Sequence, residues 1–126
     1  MTSLLAFCFF IIGCPFENTE NDTYQHRLWA SVESIFIQSK SHGEIKFHIF
    51  ATVGDPCHLY DTADIEQKNT DIYIKLFSKR QKDLICPTVI DTIMVDLTVA
   101  VTANNTYDFH FWQLDNTYID STIFIP

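Results

Sequence analysis

The chain has 126 residues, 47% hydrophobic and 14% aromatic, with Phe at 11 positions and Gly at only 3. That composition suits one packed domain and excludes a fibrous or disordered chain. Sixteen acidic residues against 8 basic give a net charge of −8, so the Lys and Arg needed to neutralise phosphates are missing; this excludes a nucleic-acid partner and disfavours anionic lipid surfaces.

In chain order the first element is the apolar run Leu4-Leu5-Ala6-Phe7-Cys8-Phe9-Phe10-Ile11-Ile12, which stops at Gly13-Cys14. It is too short for a permanent membrane-spanning helix and has the length of a signal-peptide apolar region, although Met1-Thr2-Ser3 lacks the usual positive charge. Pro15 ends whatever element precedes it. The ending Ile11-Ile12-Gly13-Cys14 resembles a bacterial lipobox. That resemblance implies a signal peptide over residues 1–13, lipidation of Cys14, and attachment to a membrane of the cell envelope. An unmodified Cys14 would leave a soluble secreted protein. Residues 14–25 include Glu17-Asn18-Thr19-Glu20-Asn21-Asp22, too polar to pack, and read as an acidic tether. A lipid anchor followed by an acidic leader is similar to surface lipoproteins of the Bacteroidetes type.

From residue 26 to 126 the dominant signal is alternation. Ile45, Phe47, Ile49, Ala51 and Val53 alternate with polar or second-face residues, as do Ile72, Ile74 and Leu76, then Ile93, Val95, Leu97, Val99 and Val101, then Tyr107, Phe109 and Phe111. Period two marks half-buried strands, and Val, Ile, Thr and aromatic residues dominate them. Residues 29–38, 59–66 and 118–125 supply three further strands. Turn chemistry separates them at Ser39-Lys40-Ser41-His42-Gly43, Gly54-Asp55-Pro56, Gln67-Lys68-Asn69-Thr70, Asn104-Asn105 and Leu114-Asp115-Asn116. No stretch keeps a helical period, so about seven short strands predict an all-β, antiparallel β-sandwich of immunoglobulin-like or fibronectin-like architecture.

Of the four cysteines, Cys8 lies in the signal and Cys14 is the lipid site, which leaves Cys57 and Cys86. An even pair in an oxidising compartment predicts one disulfide, worth roughly 3–4 kcal/mol for a loop of this length. Two thiols without a C-x-x-C pair are poor zinc ligands. The order Gly54-Asp55-Pro56-Cys57-His58-Leu59-Tyr60, Asp71-Ile72-Tyr73-Ile74, Asp83-Leu84-Ile85-Cys86 and Asn105-Thr106-Tyr107 resembles a group of small, poorly characterised bacterial exported and lipoprotein β-sandwich domains. Asn105 stands where that group carries glycine. The resemblance implies fold and location and no common activity.

Residues with chemical potential are scattered. Cys57 beside His58 would need a free thiolate, which a cystine removes. His48 and His110 point outward by alternation and would make a two-histidine site with Asp108 only if their strands were neighbours. Asp61, Asp64 and Glu66, with Asp55 nearby, form an acidic group without a calcium-loop pattern. No metal, cofactor or catalytic residue is expected. Phe36, Phe50, Tyr73, Phe77 and Trp112 fall on outer positions, and Tyr73, Phe77 and Trp112 are the candidate partner-binding residues. The sequence therefore predicts a non-enzymatic, surface-tethered sandwich that binds a protein or glycan or serves an envelope structural role. The alternative is a secreted protease-inhibitor-like module using the cystine-anchored 54–60 loop.

Overall fold

A computed structural model describes residues 23–126. The expected signal peptide, Cys14 and residues 14–22 of the expected acidic tether lie outside the described residues. The strands are β1 (Tyr24–Trp29), β2 (Ser31–Ser41), β3 (Glu44–Val53), β4 (His58–Lys68), β5 (Asp71–Gln81), β6 (Asp91–Ala100), β7 (Asn105–Gln113) and β8 (Thr117–Ile125). They form an all-β sandwich. One sheet holds β1, β4, β5, β7 and β8; the other runs β2-β3-β6.

There are eight strands rather than about seven: the strand expected over 29–38 is Ser31–Ser41, and a further strand, Tyr24–Trp29, precedes it. Tyr24–Trp29 pairs with β5, and the chain then crosses at the fully buried Ala30 to start β2 in the opposite sheet. Sequence alternation runs through this crossing without a Gly or Pro to mark it. Strand pairing begins at Tyr24, two residues ahead of the boundary read from sequence.

One pairing is parallel: Asp71–Ile74 of β5 lies against Asp108–Phe111 of β7. Between them the chain passes through β6 in the other sheet, and two layer crossings return it in its original direction. β1 and β7 thus share one edge of β5, end to end, while β4 occupies the other edge.

The alternating residues meet between the layers. Ile45, Phe47, Ile49, Ala51 and Val53 of β3 are completely buried, facing Ile72 and Leu76 of β5 and Phe109 and Phe111 of β7, which are also fully enclosed. Phe47 lies edge-on to Phe109 at 5.0 Å and to Phe111 at 5.1 Å, tying the sheets at the centre. The Tyr107 hydroxyl accepts the Thr102 N–H at 2.9 Å, a corner device of immunoglobulin-like sandwiches. Turns fall where their chemistry requires. Asn69, Asn104, Asp115 and Asn116 all adopt positive φ, and so does Gly43 at 88°. Cys57, just before β4, is joined to Cys86, after β5, with Cα atoms 6.3 Å apart.

Candidate binding face

The pleat of the five-stranded sheet sets Tyr73, Lys75 and Phe77 of β5 on its outer side, together with His110 and Trp112 of β7 and Tyr118 and Asp120 of β8. Register places Tyr73 against His110, His110 against Asp120, and Trp112 against Tyr118. On the other flank, Asp64 lies opposite Lys75 and Glu66 opposite Tyr73. Between these rows lies a shallow depression of about 200 Å³ lined by Asp64, Glu66, Tyr73, Lys75, Trp112 and Tyr118, with Ile74 below.

The rings are held in place. The Trp112 indole N–H donates to Asn116 Oδ1 at 3.1 Å, and the left-handed Asn116 at the β7–β8 hairpin tip sets that geometry. Lys75 Nζ lies 4.5 Å from the Trp112 ring centre, a cation–π contact. Tyr73 stacks on the His110 imidazole at 4.7 Å and meets Tyr118 edge-on at 5.8 Å.

His110 is itself clamped. One ring nitrogen, Nε2, lies 2.9 Å from Asp71 and the other, Nδ1, lies 2.6 Å from Asp120. Both nitrogens can donate only in the imidazolium. The bond to Asp71, then that to Asp120, raises the His110 pKa above its ordinary value, against the opposing effect of burial. Held by both carboxylates, the ring is a fixed partner on which Tyr73 stacks.

Of the three partner-binding residues expected from sequence, Tyr73 and Trp112 come together in the depression and Phe77 does not. Phe77 is only 8% exposed because Arg27 lies over its ring at 4.1 Å. Arg27 adopts φ 57° at a bulge in β1 between Gln25 and Leu28. Two carboxylates of β4 hold it there. Asp61 accepts the Arg27 N–H at 2.9 Å, and Asp64 takes its guanidinium at 2.7 Å. Arg27, first by hydrogen bond and then by its charge, holds the Asp64 carboxyl below its usual range. Burial would raise Asp61, but the Arg27 N–H and His26 together bring it below its usual value.

The acidic group seen in the sequence therefore divides: Asp61 and Asp64 lock Arg27, while Glu66 and Asp64 edge the depression. Tyr118 and Lys75 were not singled out by sequence reasoning. Tyr118 was accessible as the position facing Trp112 across the tight turn at Leu114–Asn116.

The remaining expectations are placed elsewhere. His48 is on β3 in the three-stranded sheet, 2.7 Å from Asp96, so it and His110 occupy opposite outer faces and form no joint site. Phe36 and Phe50 lie on that same opposite face. At one end of the sandwich the 54–60 loop is tied inward. Asp55 accepts from the Cys57 N–H at 2.9 Å and from Arg80 Nε at 2.8 Å, and lies 2.9 Å from His58 Nδ1. Burial pushes the Asp55 carboxyl up, but those three bonds outweigh it and hold it below its usual range. Asp55, Cys57 and Cys86 form the one metal-like grouping among the described residues, and both sulfurs are committed to the disulfide. Comparison with protein-family models, curated proteins and solved structures finds no match for the chain.

Proposed function

We propose that this is a non-enzymatic binding domain, exported and tethered to a membrane of the cell envelope through Cys14, whose ligand is a glycan held on the outer face of the five-stranded sheet. The observation that carries this reading is the depression itself: three aromatic side chains, two carboxylates and an ammonium converge on one shallow site. A pyranose presents C–H groups to aromatic rings and hydroxyls to carboxylates and ammonium, so both halves of the site are used. The site is open, as a surface that grips one unit of a longer chain must be. A net charge of −8 favours a neutral glycan over an anionic one. A binding role rather than turnover is supported by the commitments of the reactive groups. His110 is held between two carboxylates and Cys57 in a disulfide. The apolar run at residues 4–12 and the lipobox-like ending support export and anchoring.

Titration with neutral oligosaccharides, followed by tryptophan fluorescence, tests the ligand class. A saturable change in the Trp112 signal that disappears in Trp112→Ala is expected. No response across the panel would reject a glycan and leave a protein as the partner of this face.

A second reading, a protease-inhibitor-like module using the 54–60 loop, draws on the rigidity given by the cystine and the bonds around Asp55. Inhibition in a broad protease panel, lost on substituting the exposed Pro56, would favour it.

A further inference from the structure

The segment between β5 and β6 carries an apolar surface that the fold does not cover. Residues 84–90, Leu84-Ile85-Cys86-Pro87-Thr88-Val89-Ile90, contain no charged side chain, in a chain where 19% of residues are charged. Ile85 is 99% exposed, Ile90 68% and Val89 59%, and Leu84 is also exposed. Single exposed apolar residues are ordinary, but four within seven residues at one tip are not. Cys86 turns inward to Cys57, which leaves its neighbour Ile85 pointing out. The base is fixed: Arg80 Nη2 donates to the Leu84 carbonyl at 3.0 Å, and Asp55 holds the same guanidinium at Nε. Lys82, Asp83 and Asp91 flank the apolar stretch with charge.

The position of the chain's entry indicates what this tip meets. The Lys82 N–H donates to the Thr23 carbonyl at 2.8 Å, so the N-terminal segment joins the fold directly beside the tip. Upstream lie Cys14 and the apolar run of residues 4–12. Fully extended, the stretch from Cys14 to Thr23 reaches at most about 30 Å. A chain anchored at Cys14 is therefore attached to the bilayer through this end of the sandwich.

We propose that residues 84–90 form a rigid apolar foot that seats in the zwitterionic interface of the membrane carrying the anchor, with Ile85 deepest. This rests on the anchoring reading above. Such an insertion adds to the acyl attachment by burying methylene groups, and the flanking charges stay in the headgroup layer. Its consequence for function is orientation. β5 runs from the aromatic depression toward the foot, so a seated foot stands the binding face upright and clear of the membrane.

The test uses the full chain reconstituted with phosphatidylcholine vesicles that contain spin-labelled lipid, with methyl signals read by NMR. The expected result is that the Ile85 and Ile90 methyls broaden several-fold more than that of Ile65, an exposed residue toward the other end of β4. In Ile85→Asp/Val89→Asp the chain stays with the vesicles but the broadening at Ile90 falls to the level of Ile65. Both positions are exposed and circular dichroism should be unchanged. Association with equal broadening at all three sites would overturn the foot and leave the anchor standing. Failure to associate would overturn the anchor, and the foot with it. Methyls at 85 and 90 shielded from both the lipid label and a water-soluble label would mean that protein covers the tip, which also overturns the proposal.

Discussion

On the outer face of the three-stranded sheet, Phe36 and Phe50 meet edge-on at 6.0 Å and Met94, opposite Phe50, stands exposed. On the outer face of the five-stranded sheet, Tyr73, Trp112 and Tyr118 surround a depression with Asp64, Glu66 and Lys75. Both faces present aromatic carbon to solvent. Each also sets a carboxylate-bound histidine against a ring, His48 edge-on to Phe50 at 5.3 Å and His110 stacked on Tyr73 at 4.7 Å, but the second adds two carboxylates and an ammonium that converge on its rings. Aromatic content and ring fixing do not distinguish the two faces; the convergence of charged side chains on the rings does.

The comparison can be broken most forcefully through what the two faces share. Phe47→Ala should cost about 3–5 kcal/mol in chemical denaturation, because the lost ring leaves a void between the sheets that both faces need. Reducing Cys57–Cys86 should cost roughly 3 kcal/mol. Hydrogen exchange should then rise first in β4 and the end of β5, and the three-stranded sheet should respond last. Trp112→Ala should weaken ligand by about 2 kcal/mol in calorimetry, whereas Phe36→Ala on the opposite face should leave affinity unchanged. Equal losses from the two would erase the distinction.

The smallest effect concerns His110. His110→Gln should cost under about 1 kcal/mol, since solvent screens pairs this close to the surface. Its folded pKa is raised, so its contribution is complete below the ordinary value of 6.5 and fades as pH rises through the folded value. Asp55, Asp61 and Asp64 have lowered values. Their contributions hold above the ordinary 3.8 and are lost as pH falls through the folded values. Denaturation midpoints measured across pH should therefore decline on both sides, with the alkaline decline absent in His110→Gln.

Much of this was legible in the sequence. Period-two alternation named the inner faces of β3, β5, β6 and β7 residue by residue, because each strand has one dry side. Asn69, Asn104 and the Leu114–Asn116 tip were legible as turns from side chains that tolerate positive φ. What stayed hidden depends on meetings far apart in the chain. Ala30 marks a change of sheet that no local pattern records. Phe77 reads as exposed until Arg27, from another strand and in a left-handed conformation, lies over it. The parallel register of β5 with β7 follows only once β6 is assigned to the opposite layer.

Strand β5 hydrogen-bonds to β1, β4 and β7 at once, making it the spine of its sheet. A polypeptide that emerges N-terminus first must carry β1 without a mate until residues 77–81 arrive, and must wait longer still for β7. Closure of so non-local an arrangement is slow. The newly made chain thus passes through a period in which apolar strand edges are open, and a holding factor acting in that interval would govern how much protein reaches its final form.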